Sequence, residues 1–171
     1  MVSFVDAAFG GMRWRHALAY LPAQVAGCVS GAVLANLMFS AGAVSISITH
    51  RATAAHGRSE VVATVGLILV IFSLARSGRA AAAPAAVGAY IGAGYWFTSS
   101  TSFANPAITI GRMFSDTFAG IAPASAPLFL AAQTAGGGLA ILLVRALHPG
   151  ISPRDAADAV VPQHAESQRG S

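Results

Sequence analysis

Long apolar stretches alternate with short polar segments along most of the chain. A bilayer core takes about 20 apolar residues per helical crossing. The pattern therefore predicts four membrane-spanning helices, at about 14–39, 60–76, 80–98 and 127–147. The polar stretch at 40–59 predicts an exposed loop, and the polar residues at 148–171 predict a disordered tail.

A further apolar segment, at about 106–115, is too short to cross a bilayer. Asn105 is a favoured N-cap, and Pro106 is well tolerated at the first helical position. A helix of about 10 residues crosses roughly half of the hydrocarbon core. We therefore expect a re-entrant half-helix whose positive N-terminal end points to the membrane centre.

Composition also indicates a membrane protein. Hydrophobic residues make up 55% of the chain and charged residues 9%, with a mean hydropathy of +0.64. Too few polar groups are present to cover a water-soluble globule. The net charge of +4 comes from arginine, without a basic run interleaved with aromatics, so no nucleic-acid partner is predicted.

The arginines also predict the topology. With four spans and a half-helix that enters and leaves on one side of the membrane, the ten arginines fall into two groups. Seven lie on one side, and Arg51, Arg58 and Arg112 lie on the other. The larger group is cytoplasmic by the positive-inside rule, which predicts a multi-pass cell-membrane protein with a cytoplasmic C-terminus. This group is Arg13, Arg15, Arg76, Arg79, Arg145, Arg154 and Arg169.

The sequence has no pattern typical of catalysis or of a metal site. Its single cysteine, Cys28, lies within an apolar span, and His50 and His56 have no neighbouring carboxylate or cysteine. No paired nucleophile and base and no phosphate-binding glycine loop is recognisable. We therefore expect neither an enzyme nor a cofactor.

Small residues and two glutamines indicate helix faces suited to close packing. Glycines spaced four apart occur in the first and third predicted spans, and an Ala-Gln pair followed by glycine recurs in the first and last spans. Such a repeat is typical of inverted-repeat membrane folds. The predicted packing residues are Gln24, Gly27, Gly31, Gly88, Gly92, Gln133 and Gly136.

The box Asn105-Pro106-Ala107, preceded by Thr-Ser-Phe-Ala, resembles the second Asn-Pro-Ala box of the aquaporin, or major intrinsic protein, family. The resemblance implies an all-α membrane protein, an aquaporin-like inverted-repeat helical bundle in which the box lines a pore. It also implies that Glu60 accepts hydrogen bonds from the loop carrying the box. The alternative is that Glu60 lies among lipid headgroups.

The same resemblance implies an outer constriction at Ala93, Ser102 and Ile108. The family normally has arginine directly after the box, where this chain has Ile108. Arg112 follows one turn later, and we expect it on the surface rather than in the mouth. Small, uncharged constriction residues imply a wider mouth than that of a water channel, similar to an aquaglyceroporin-like bacterial branch associated with arsenic resistance.

The resemblance implies passage of small neutral solutes: water, glycerol-like polyols and arsenite. It also implies a homotetramer in the lipid bilayer, if the channel is complete. It covers about residues 2–147, two thirds of the family fold, so we expect an N-terminally truncated bundle of about four transmembrane helices and one half-helix. The alternative hypothesis is a non-conducting truncated membrane protein that only packs with partner chains.

Overall fold

A computed structural model describes residues 1–147, and the tail predicted at 148–171 lies outside the described residues. Six α-helices follow one another in this part of the chain, which contains no strand, so the all-α fold class is confirmed. Short 3₁₀ turns occur at Ala80–Ala82, Arg112–Phe114 and Pro123–Ser125. The helices are α1 (Val2–Ala8), α2 (Trp14–Met38), α3 (Ala54–Arg76), α4 (Ala83–Phe97), α5 (Pro106–Gly111) and α6 (Ala126–Leu147).

Within residues 1–147, three helical segments are long and apolar enough to cross a membrane: Trp14–Met38, Ala54–Arg76 and Pro123–Leu147. The span predicted at 80–98 is shorter than expected, because α4 has 15 residues and reaches about 22 Å. A proline in its first turn and the 3₁₀ turn before it account for the late start.

The loop predicted at 40–59 is shorter and more buried than expected. Helix α3 begins at Ala54 rather than at residue 60, because the Thr53 hydroxyl caps it by accepting a hydrogen bond from His56 N. Ser47 and Arg51, within the remaining loop, are both buried. The expectation of an exposed loop is therefore wrong at both places.

The half-helix predicted at 106–115 is helix α5, and it ends earlier than predicted. Regular α-helix stops at Gly111 and gives way to the 3₁₀ turn Arg112–Phe114. Ser115 has an extended backbone, and its hydroxyl donates to Asn36 Oδ1 on α2 at 2.6 Å. The helical backbone has therefore ended by Ser115, which is bonded to α2.

The core lies between α3 and α6. Helix α3 packs against α6 on one side and α4 on the other, and fully buried Ala63, Ile68, Phe72, Ala140 and Val144 fill the contact. Helix α5 packs against α2 and α6. The short helix is thus held between two long ones, while most of α2 stays exposed.

Close helix contact occurs at some predicted glycines and not at others. A Cβ atom on Gly136 would lie 2.9 Å from Thr64 Cβ, so this glycine permits the approach of α6 to α3. A Cβ atom at the other four predicted packing glycines would meet no atom of residues 1–147 within 4 Å, so these four make no close helix contact within the described chain. These four are Gly27, Gly31, Gly88 and Gly92. Gly27 and Gly31 border cavities instead.

Candidate functional site

The loop that leads into α5 has an unusual backbone. Thr101, Ser102 and Ala104 have left-handed φ angles of 63°, 53° and 51° and are all buried. Each such conformation costs a non-glycine residue about 1–2 kcal/mol, so it persists only where the surroundings fix it. Strain is therefore concentrated immediately before the Asn-Pro-Ala box.

Glu60 supplies the contacts that fix this loop. Its Oε1 accepts hydrogen bonds from Ser100 Oγ at 2.7 Å and Phe103 N at 2.9 Å. Its Oε2 accepts from Ala104 N at 2.9 Å and Gln133 Nε2 at 2.8 Å. The residue has no exposed surface, which does not fit the headgroup alternative. These are the contacts that a loop-bracing carboxylate makes.

Gln133 connects this brace to the half-helix. Besides Glu60, its Nε2 donates to Thr109 Oγ1 at 2.9 Å, and the Thr109 hydroxyl donates to Asn105 O at 3.2 Å. The sequence predicted a helix-packing residue here, but the fully buried amide joins α6, α3 and α5 through hydrogen bonds. Its counterpart in the internal repeat, Gln24, lines a cavity beside Asn105.

Asn105 caps α5, as its sequence position predicted. Its Oδ1 accepts from Ala107 N at 2.9 Å, and Pro106 occupies the first helical position. With the oxygen occupied, the Nδ2 group remains as a donor, and no residue of the described chain accepts from it. Asn105 therefore presents an amide N–H₂ to its surroundings.

Asn105 is among the residues that line a cavity of about 420 Å³. Asn105 and Ile108 line it from α5, Gln24 lines it from α2, and Leu67 lines it from α3. The residues at 1–3, where α1 begins, complete the wall, so α1 and α5 both begin at this cavity. The space is large enough for a small organic solute, and its lining is mixed polar and apolar.

The three predicted constriction residues are distributed around the same end of α5. Ser102 lies against α4, since a Cβ atom on Gly94 would be 2.6 Å from Ser102 Cβ. Its buried hydroxyl has no hydrogen-bond partner within residues 1–147. Ala93 is the exposed neighbour of Gly94, and Ile108 is half-buried beside Asn105. The loop thus meets α4 at the level of Ala93.

Arg112 does not have the surface position that the sequence predicted. It is half-buried, and its Nη2 donates to the Tyr95 hydroxyl on α4 at 2.9 Å. Together with Ile108 and Gly111 it lines a second cavity, of about 520 Å³, between α5 and α2. The side chain points inward because Tyr95 offers an acceptor there, a contact between residues 17 positions apart in sequence.

Arg51 is a structural residue of the site that the sequence did not indicate. Its Nε donates to Gly120 O at 2.8 Å and its Nη2 to Phe118 O at 2.5 Å, while its backbone N donates to Ser125 Oγ. Burial lowers the pKa of Arg51, and the neighbouring positive charge of Arg112 lowers that pKa further. Arg51 thus fixes the segment that follows the half-helix.

Asn36 and Gly111 hold the other side of the half-helix. Asn36 Nδ2 donates to Phe114 O at 3.0 Å, which ties the end of α2 to the exit of α5. A Cβ atom on Gly111 would lie 2.7 Å from Cys28 Cβ, so only glycine permits this crossing. A polar Asn36 within an apolar span was a signal for such a contact, whereas Gly111 gave none.

A comparison with curated proteins finds a clear relative. Aquaglyceroporin AqpS of Rhizobium meliloti (strain 1021) is 44% identical to this chain over 144 residues. The match covers 84% of this chain and 61% of the relative, so the chain spans about three fifths of the relative's length. No family model matches the chain. No solved structure matches it either.

Proposed function

We propose that the chain is a member of the aquaporin family and forms the larger part of a channel for small uncharged solutes, since it is 44% identical to an aquaglyceroporin over 84% of its length. The observation that carries the proposal is Asn105, which lines a cavity while its oxygen caps α5 and its amide N–H₂ has no acceptor in the described chain. The name of the relative, an aquaglyceroporin, supports glycerol-like polyols as the solute class. Water and uncharged arsenite belong to the same proposal.

A passage for neutral solutes has to replace lost hydration while opposing ions. The Asn105 amide offers a donor to a hydroxyl group, and the positive N-terminal end of α5 disfavours cations. Both functions need a fixed half-helix. Glu60 and Gln133 supply that rigidity from α3 and α6, since they bind the loop and α5 directly.

The proposed constriction favours solutes larger than water. Ala93, Ser102 and Ile108 carry no charge, and the Ser102 hydroxyl is unpaired within the described chain. The carbon skeleton of a solute can contact Ala93 and Ile108, while the Ser102 hydroxyl is buried against α4 and adds no charge. Such an uncharged wall suits a polyol or a neutral hydroxide such as arsenite.

The assembly and orientation complete the proposal. The distribution of arginines supports a cytoplasmic C-terminus, and the family resemblance supports a homotetramer. The exposed glycines Gly27, Gly31, Gly88 and Gly92 are suited to close contact with helices of a neighbouring chain. Chemical cross-linking of the chain in membranes tests the tetramer.

A substitution of Asn105 by aspartate tests the proposed role of the amide. Aspartate is an equally good N-cap, so α5 remains capped, but the amide donor is lost. In proteoliposomes we expect glycerol entry, measured by stopped-flow light scattering, to fall roughly fivefold, the factor that one ordinary hydrogen bond provides. The matched control is Thr134→Ala, which removes an exposed hydroxyl bonded to its own helix.

Two outcomes would count against this proposal. An Asn105→Asp protein that conducts glycerol at the unaltered rate would show that the amide does not serve the solute. An unaltered protein that inserts into liposomes but leaves glycerol entry at the rate of the lipid would support the alternative of a non-conducting chain that only packs with partners.

A further inference from the structure

Helix α1 is docked against the bundle by apolar contacts. Val5 is buried in the core together with Ile68 and Phe72 of α3. The ring centroid of Phe9, directly after α1, lies 5.4 Å from that of Phe72. The guanidinium of Arg145 on α6 lies over the Phe9 ring, 5.5 Å from its centroid. Together with its contacts to α2, α1 therefore packs on three helices.

Asp6 places a carboxyl group inside this apolar contact. The residue is 1% exposed, and neither Oδ1 nor Oδ2 has a hydrogen-bond partner within residues 1–147. Glu60, the other buried acid of the described chain, accepts four hydrogen bonds. A buried carboxylate without partners is strongly disfavoured, whereas the neutral acid is tolerated much better. Asp6 therefore lacks the contacts that stabilise a negative charge at Glu60.

The charged and titratable groups at this end of the bundle do not compensate for the burial of Asp6. None of them donates a hydrogen bond to its carboxyl group. Burial raises the pKa of Asp6, which lies outside the three membrane-crossing segments, from 3.8 to about 6. These groups are the Met1 amino group on α1, Arg13, Arg15 and His16 at the start of α2, Arg76 at the end of α3, and Arg145 on α6.

We propose that Asp6 is a proton-binding site, and that docking of α1 onto α2, α3 and α6 takes up one proton at its carboxyl group. A proton is the ligand that fits, because both carboxyl oxygens are enclosed by protein. Within residues 1–147 no group of histidine, cysteine or acidic side chains is placed to hold a metal ion. The inference is independent of the proposed channel function.

The direction of the pH dependence follows from the two states of α1. In the docked state the pKa of Asp6 is about 6, and in the detached state the carboxyl group meets water and has its ordinary pKa of 3.8. The docked state therefore binds the proton more tightly. The contribution of Asp6 to docking is complete below the ordinary pKa and is lost as the pH rises through the docked pKa. Between about pH 5 and about pH 7.5 this contribution falls by roughly tenfold in the docking equilibrium.

Docking of α1 also completes part of the cavity that Asn105 lines. Residues 1–3 form one side of that cavity. Met1 packs on α6, since a Cβ atom on Gly137 would lie 2.9 Å from Met1 Sδ. A proton on Asp6 therefore stabilises this side of the cavity together with α1.

Hydrogen exchange of the α1 amides, in the full chain reconstituted in lipid nanodiscs, measures docking at about pH 5 and about pH 7.5. Val5 N and Phe9 N are suitable reporters, because they donate to Met1 O and Val5 O. Protection is corrected for the intrinsic exchange rate and compared with that of Asp6→Asn, which keeps the shape of the side chain but does not titrate. The ratio of protection, unaltered protein over variant, should fall roughly tenfold from the lower to the higher pH.

This ratio isolates Asp6 from other groups that titrate in the same range. Burial lowers the pKa of the Met1 amino group to about 6, but both proteins carry this group and His16, so their effects cancel. Asp6→Leu, which replaces the carboxyl group by an apolar side chain, should give the same tenfold fall. The matched control is Asp116→Asn, an exposed acid in the loop after α5, for which the ratio should be equal at both pH values.

The outcomes separate this inference from the channel function. A ratio that does not change with pH for either Asp6→Asn or Asp6→Leu would overturn the proton-binding site. Glycerol entry into proteoliposomes is measured on the same preparations. A ratio that falls as expected in a protein that does not conduct glycerol would support the proton-binding site and refute only the channel.

Discussion

Substitution of Glu60 by glutamine is the most informative perturbation of the loop before the box. Glutamine keeps the shape of the side chain but replaces one acceptor oxygen by an N–H₂ group. Each Glu60 oxygen accepts two hydrogen bonds, one of them from a backbone N–H of Phe103 or Ala104. The substitution therefore places a donor against two donors, whichever way the new amide turns.

The structure shows which partners can adapt. With the N–H₂ group at the Oε1 position, the Ser100 hydroxyl can rotate and accept, but Phe103 N cannot. With it at the Oε2 position, Gln133 can turn its amide, whose oxygen is unpaired within the described chain, but Ala104 N cannot. One buried backbone N–H stays unpaired in either case. The expected loss of stability is about 1–3 kcal/mol.

Two measurements check this value. Reversible unfolding of the protein in mixed micelles gives the change in unfolding free energy, and hydrogen exchange reports the amides of Phe103 and Ala104. One of these two amides should exchange faster in Glu60→Gln. The control Thr134→Ala removes an exposed hydroxyl and should change the unfolding free energy by less than about 0.5 kcal/mol. Unfolding free energy and exchange rates equal to those of the unaltered protein would refute the reasoning.

Three further substitutions test other parts of the structure. Gly111→Ala should lower the unfolding free energy by about 1–3 kcal/mol, because its Cβ would lie 2.9 Å from a backbone oxygen of α2. Gly27→Ala, where the Cβ has open space, should be neutral or stabilising in the same unfolding assay. Equal effects of the two substitutions would contradict this. Arg51→Met removes two hydrogen bonds to carbonyls and should accelerate hydrogen exchange at residues 118–122, and unchanged protection there would count against the assigned role. Ile108→Arg should slow glycerol entry into proteoliposomes, since the larger side chain would narrow the proposed mouth; an unchanged rate would argue against a constriction at Ile108.

Much of the fold was accessible from the sequence because apolar length determines where membrane helices form. The spans now seen as α2, α3 and α6 were predicted within a few residues, apart from the early start of α3 at its Thr53 cap. The start of the half-helix was also predictable, since capping by Asn105 and the placement of Pro106 are local properties. Helix α4 was overestimated because composition does not reveal the 3₁₀ turn before it.

The contacts around the half-helix were less accessible. Arg51 bonds to the carbonyls of Phe118 and Gly120, and backbone acceptors have no signature in the sequence. Arg112 was expected on the surface because its spacing from the box was known but its partner Tyr95, on another helix, was not. Glycine patterns marked Gly27 for packing, where a Cβ atom would have open space, but not Gly111, where a Cβ atom would lie 2.7 Å from Cys28 Cβ. Long-range geometry decided each of these cases.

Glycerol entry into proteoliposomes that contain the unaltered chain tests the central claim most directly. Stopped-flow light scattering compares these vesicles with protein-free vesicles of the same lipid, with water permeability measured in parallel. The proposed uncharged constriction above the Asn105 amide predicts glycerol entry well above the rate of the lipid. Vesicles that gain water permeability but admit glycerol and arsenite no faster than the lipid alone would contradict the account.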